Sequence, residues 1–260
     1  MDGIRRILLL RGGIDTIHTS PENSMTGFWN DMCGSLVLDK APSFPSSPFI
    51  EPKVDKLTSD QRARYKAFLQ LGSPTLSDLG DALADLANLI QFVEQGTLGN
   101  EKSQREDFVA QDLNPVVHRL LSLPRYAIEA LEDTESAELR MHEGLRLAAL
   151  VTVGLIKEYC EIGPTGLQQN QDRLTAPLQE SAMDFLTHPA LRLWILATYA
   201  VASESNRFQH VTQLASAARL LSINSWEDLK QILSNVMWSN RILGDKTSDL
   251  GTLFDSLNNG

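Results

Sequence analysis

The chain has 260 residues, 42% of them hydrophobic, which is enough to bury a sizeable core without staples. Against 33 Asp and Glu it carries 23 Lys and Arg, a net charge of −10, so its average surface repels phosphate backbones and anionic headgroups, and direct nucleic-acid binding is not expected. Cys33 and Cys160 lie far apart and outside any CxxC pair, which excludes a disulfide framework and a cysteine-built zinc site and fits a reducing intracellular compartment.

The opening MDGIRRILLLRGG is cut by Arg11, Gly12 and Gly13 before it reaches signal-peptide length. No later stretch approaches the roughly 20 apolar residues of a membrane span, so a soluble chain with no membrane partner is expected. IRRILLLRGGIDTIH reads as a short helix, interior through Leu8, Leu9 and Leu10, and SMTGFWNDMCGSLVL as a second. Together residues 1–40 form an N-terminal helical segment that packs on the body. KAPSFPSSPFIEPK follows, and Pro42, Pro45, Pro48 and Pro52 deny it both helix and sheet. Residues 41–57 are therefore a Pro-rich linker or a strap, with Phe44, Phe49 and Ile50 available to dock it.

Residues 58–260 form the main helical domain. Thr58 and Gln61 make a capping-box pattern, and Gly72 is expected to stop that helix. TLSDLGDALADLANLIQFVEQG puts Leu76, Leu79, Leu83, Leu86, Ile90 and Val93 on one face, with Thr75 as cap and Gly96 as terminator. In FVAQDLNPVVHRLLSLP, Pro115 must kink or divide the helix, and Pro124 closes it. ELRMHEGLRLAALVTVGLIKEYC is apolar almost all round from Leu145 to Ile156, so it is expected to be the central helix that the others surround. Then come RLTAPLQESAMDFL, PALRLWILATYAVASE with Pro189 in a first turn, RFQHVTQLASAARLLSI, and one long helix capped by Ser225 and stopped by Gly244. Alternating strand patterns are nearly absent. The expected fold is all-α, a single non-repeating domain of roughly nine or ten helices around a central apolar one.

His18, His118, His142, His188 and His210 are scattered, and MHEG lacks the second histidine of a zinc-protease helix, so no metal is expected. NDMCGSLV, from Asn30, is only faintly like a diphosphate-binding motif and has no DDxxD partner. Neither GxSxG nor GxxxxGK occurs, and Glu132, Asp133 and Glu135 fall in a polar, solvated loop. The expectation is no catalytic residue, no cofactor and no enzyme activity. Phe185, Trp194, Tyr199 and Phe208 recur at helical spacing and either line a ligand pocket or pack the core. Trp226 and Trp238, about 3.3 turns apart on one continuous helix, would sit roughly 120° apart around its axis and act as separate core anchors.

Taken in order, RLAALVTVGLI after His142 and Glu143, HPALRLWILATYAVASE, the pair Arg207 and Phe208, and SWEDLKQILSNVMWSNRILGD resemble the helical regulatory region of fungal-specific transcription factors. RILLLRGGIDTI near the start is similar to the opening of that region, so the resemblance runs from about Arg6 to about Leu243. It implies that 58–260 is a helical regulatory domain, in the nucleus, acting on protein partners such as the transcription machinery or a DNA-bound factor, with room for a small-molecule effector. The six-cysteine zinc cluster, basic linker and dimerising heptads of full-length members are absent from these residues. The resemblance thus implies a regulatory module without its own DNA reader. The other reading is a helical small-metabolite sensor or interaction scaffold with no transcription role.

Overall fold

The computed structural model describes residues 21–47, 49–127, 136–180, 188–203 and 206–258, and every regular element in them is helical. The opening Leu-rich stretch, His18, Glu132, Asp133, Glu135 and Phe185 lie outside the described residues. In chain order the helices are α1 (Pro21–Leu38), α2 (Ser59–Phe68), α3 (Pro74–Glu94), α4 (Lys102–Phe108), α5 (Asn114–Ser122), α6 (Ser136–Tyr159), α7 (Leu167–Glu180), α8 (Pro189–Ala202), α9 (Arg207–Arg219), α10 (Trp226–Val236), α11 (Asn240–Leu243) and α12 (Asp245–Asn258). A π-helical turn, Val109–Leu113, joins α4 to α5. The all-α expectation holds.

Local chemistry sets the ends of these helices. Thr58 and Gln61 form the full capping box of α2. α2 stops at Phe68, ahead of Gly72, because Gln70 takes a left-handed φ of 57° and the Leu71 amide reaches back to the Lys66 carbonyl at 2.8 Å. The cap of α3 is Ser73 in place of Thr75: Pro74 occupies the first turn, where its missing N–H is no loss, and that makes the preceding serine the capping residue. Pro115 divides its helix through the π turn. Having no N–H to give and a ring that crowds the carbonyl four residues back, it is accommodated by widening the ladder just ahead of it.

The expected single helix from Ser225 to Gly244 is two. α10 ends at Val236, where Met237 turns extended (φ −162°, ψ 91°), and the short α11 follows before Gly244 stops it at φ 53°. Beyond lies α12, to which the sequence reading assigned no helix, although Leu250 and Phe254 are fully buried on it.

The core is built on α6. Every residue from Met141 to Lys157 is buried, and α6 packs against α3, α5, α7, α8 and α11. The Leu76 to Val93 stripe of α3 is buried as its period requires. Gly154 lets α7 approach α6 closely, since a Cβ there would lie 3.1 Å from the Leu167 backbone.

The 41–57 stretch lies along the body, held by side-chain hydrogen bonds. The Asp31 carboxylate takes the Ser43 and Phe44 amides at 2.7 and 2.9 Å. Asp112 takes those of Lys53 and Val54, both at 2.8 Å, and the Asn88 amide donates to the Asp55 carbonyl at 2.9 Å. Ile50 and Val54 pack on the core, while Phe49 is exposed.

Candidate functional site

The helix expected to be apolar all round has a charged knot in its middle. Arg146, on α6, is fully buried and binds Asp39 with two parallel bonds, Nη1 to Oδ1 at 2.7 Å and Nη2 to Oδ2 at 2.8 Å. Its Nε and Nη2 also reach Glu143, one turn back, at 3.0 and 2.7 Å. Such fork-to-fork pairing supplies the geometry that a guanidinium needs to leave water.

Asp39 follows the last residue of α1 in a left-handed conformation (φ 49°), which turns its carboxylate inward. The end of α1 is a meeting point. Its free carbonyls are taken by Asn170 on Leu36 at 3.2 Å, by Arg173 on Val37 at 3.0 Å, and by Arg125 on Asp39 at 2.8 Å. The two arginines also complement the negative end of the helix dipole. Burial works to raise the Asp39 carboxyl, but the Arg146 hydrogen bonds and the charges of Arg146, Arg125 and Arg173 outweigh it and hold the group below its ordinary pKa. His142, one turn before Arg146, is pushed down to about 4, chiefly by burial and then by the Arg146 charge, against Asp78 and Glu138. Its ring stands edge-on to Tyr126 at 5.1 Å, and its Nδ1 has no partner among the described residues.

Open space is distributed unevenly. Between α3, α6, α8 and α11 lies a cavity of about 20 Å3 bordered by Thr152, Thr198 and Trp238, room for one water and no more. Outside the core, a groove of about 510 Å3 runs between α2, α3 and the α10 end, over Tyr65, Ala87, Ile90, Met237 and Trp238, with Arg64 and Glu94 among its polar residues. The Tyr65 hydroxyl donates to the Val236 carbonyl at 3.2 Å and so closes one end of the α10 break. A second groove of about 450 Å3 lies beneath the strap, bordered by Asp112, Arg62 and Arg119. Both cations are already engaged by Asp85.

The four aromatics of the sequence reading go to different places. Trp194 is fully buried in the centre of α8. Tyr199 is buried, edge-on to His210 at 4.3 Å, with its hydroxyl 2.7 Å from that of Thr175. Phe208 is 63% exposed on α9 and faces solvent, and Phe185 lies outside the described residues. None of Trp194, Tyr199 and Phe208 borders the cavity or either groove. Trp226 and Trp238 are not separated as a continuous helix would separate them. The break after Val236 swings Trp238 back until the two rings meet edge-on at 6.0 Å.

Among the described histidines, His118 bonds the Phe44 carbonyl at 2.9 Å, and His188 stands at the start of α8. No three His, Cys, Asp or Glu side chains converge on a metal position among the described residues, and none of the described helices is long and apolar enough to cross a membrane. Sequence reasoning missed the Asp39–Arg146–Glu143 knot. Its signal was a Glu and an Arg three residues apart inside an otherwise apolar run, a spacing that puts both on one helix face. The chain matches no family model, no curated protein and no solved structure.

Proposed function

We propose that the chain is a transcription-regulator-like protein, a helical regulatory domain of the fungal-specific transcription factor kind without its own zinc-cluster DNA reader, acting in the nucleus through protein or effector contacts. The observation that carries this reading is the ordered set of segments in the sequence. Its support from the fold is that those segments interlock: α6, which holds RLAALVTVGLI, packs on α8; α8 packs on α9 and α10; and α11 returns to α6. An acidic chain with a net charge of −10 fits a module that reaches DNA through a partner. The groove of about 510 Å3 is a suitable contact surface, since it mixes apolar residues such as Tyr65, Ala87 and Trp238 with polar ones such as Arg64 and Glu94.

Two measurements test the reading. Tagged chain expressed in its own cells is expected to be retained in the nucleus with a DNA-bound companion. The purified chain is expected to leave duplex DNA unretarded at moderate salt. Exclusion from the nucleus, or tight sequence-specific DNA binding by the chain alone, contradicts it.

The groove's volume also favours a second reading, a small-metabolite sensor with no transcription role, because it falls within the size range of small-ligand sites. Under that reading a metabolite raises the melting temperature of the chain, and Ala87→Trp, which adds bulk to the groove lining, abolishes the rise.

A further inference from the structure

The groove between α2, α3 and the end of α10 has its two charges at opposite ends. One side of it is a face of α3, where Ala84, Ala87, Asn88, Gln91 and Glu94 recur at helical spacing. From Ala84 to Glu94 that helix rises about 15 Å. α2 runs antiparallel to α3, since Lys66 pairs with Asp81 at 2.9 Å and Arg62 with Asp85 at 2.7 Å. Arg64, between those two pairs, therefore stands at the Ala84 end. Glu94 stands at the other end, where its Oε2 accepts Ser239 Oγ at 2.5 Å and the Arg241 amide at 3.1 Å. Both residues are exposed, and neither makes an ion pair among the described residues. Arg62 and Arg119, by contrast, are both engaged by Asp85.

Between the two charges lie side-chain amides with hydrogen-bonding capacity to spare. Gln61 Oε1 accepts the Thr58 amide at 2.8 Å, which leaves its NH2 group, and Asn88 Nδ2 donates to the Asp55 carbonyl at 2.9 Å, which leaves its carbonyl oxygen. Gln91 and Asn235 make no side-chain hydrogen bond among the described residues. A carboxamide presents a donor and an acceptor side by side, the same pair that a peptide bond presents. A helix keeps its own peptide groups paired and offers these amides nothing, whereas an extended segment offers both partners at every other residue. Phosphate-bearing ligands would meet one arginine on a chain of net charge −10.

We propose that this groove binds a short extended segment of a partner protein, with an acidic side chain at the Arg64 end and a basic one at the Glu94 end. At about 3.3 Å per extended residue, the groove takes roughly four or five residues. Gln61, Asn88, Gln91 and Asn235 bond the backbone of the segment, and Tyr65 and Trp238 pack against its side chains. The opposed charges fix the direction in which it lies. The inference rests on this groove being the contact surface of the proposed regulator, and its test needs neither a cell nor DNA.

Phage displaying a randomised heptapeptide library are selected on the immobilised whole chain, and the enriched peptides are synthesised with capped ends and titrated by fluorescence polarisation. The expected peptides carry Asp or Glu and Lys or Arg about four residues apart, with apolar residues between them. Arg64→Glu, at an exposed position, is expected to leave the melting temperature in place and to select a basic residue where the parent selects an acidic one. Gln91→Leu, exposed as well, weakens the parent's peptides severalfold, and so does N-methylation of a central peptide amide. A library that yields no enriched peptide overturns the proposal. So do peptides indifferent to both Arg64→Glu and Gln91→Leu, and peptides that bind as helices, as read by transferred nuclear Overhauser effects. Such a failure leaves nuclear retention of the tagged chain untouched, and exclusion from the nucleus leaves peptide binding untouched, so the two readings fail separately.

Discussion

Arg146 sits at zero exposure because Asp39 and Glu143 supply carboxylate oxygens to its fork in the place of water. Desolvating the ions costs several kcal/mol each, so the arrangement holds only while the partners are complete. Asp39→Asn is the cleanest probe, since Asn also tolerates the left-handed conformation and the change isolates the charge. It is expected to lower stability by about 3–5 kcal/mol in chemical denaturation, the cost of breaking a buried pair; a loss below about 1 kcal/mol would mean a knot no stronger than a surface pair.

A second residue-scale consequence concerns acid. His142 has its folded pKa lowered to about 4, against an ordinary value of 6.5. Between those values the unfolded chain takes up a proton that the folded chain refuses. Stability is therefore fully present above about pH 6.5 and falls as the pH drops towards about 4, by up to roughly 3 kcal/mol. Asp39, with its folded pKa lowered too, contributes above the ordinary carboxylate range and loses that contribution below it. His142→Phe is expected to flatten the stability profile between pH 6.5 and 4. An unchanged slope would remove His142 as the cause.

At the scale of elements, the α10–α12 corner shows why helix propensity and packing have to be weighed together. Gly251 lies inside α12, where Ala would gain about 1 kcal/mol by propensity alone. A Cβ at that position, however, would stand 2.5 Å from Trp226 Cδ1. Overpacking of this kind costs about 1–3 kcal/mol, so Gly251→Ala is expected to lower the melting temperature. A variant that melts higher would show that α12 does not press on Trp226. Trp238, 6% exposed and wedged against Trp226 by the α10 break, is expected to cost about 3–5 kcal/mol when replaced by Ala; a variant that melts like the parent would refute its core placement.

The same corner marks where sequence stops being legible. The Leu76 to Val93 stripe, the Thr58 capping box and the Ser225 cap are local patterns, and each is found where its spacing put it. The break at Met237 has no proline or glycine to announce it, and a 3.6-residue period runs through it undisturbed. What holds it open comes from afar, namely Tyr65 on the Val236 carbonyl and Glu94 on Ser239 Oγ. The Arg146 knot was unreadable for the same reason, because Asp39 is 107 residues away in the chain. The grooves likewise depend on how distant helices meet, and the aromatics at helical spacing gave no sign of them.

At the scale of the whole molecule, the helices are arranged about α6, and both functional readings need that scaffold to be rigid. The stretch from Leu145 to Ile156 has no face towards solvent, and among the described helices α3, α5, α7, α8 and α11 lie against α6. The knot fastens α1 to it, and the segment that follows α5 and α7 itself join through Arg125 and Arg173. Opening this helix therefore means separating most of the fold at once. The direct test is native-state amide hydrogen exchange along the chain. Amides from Leu145 to Ile156 are expected to exchange slowest of all, with an opening free energy equal to that of global unfolding measured by denaturant. Exchange there as fast as in α4 or α12 would contradict a scaffold centred on α6.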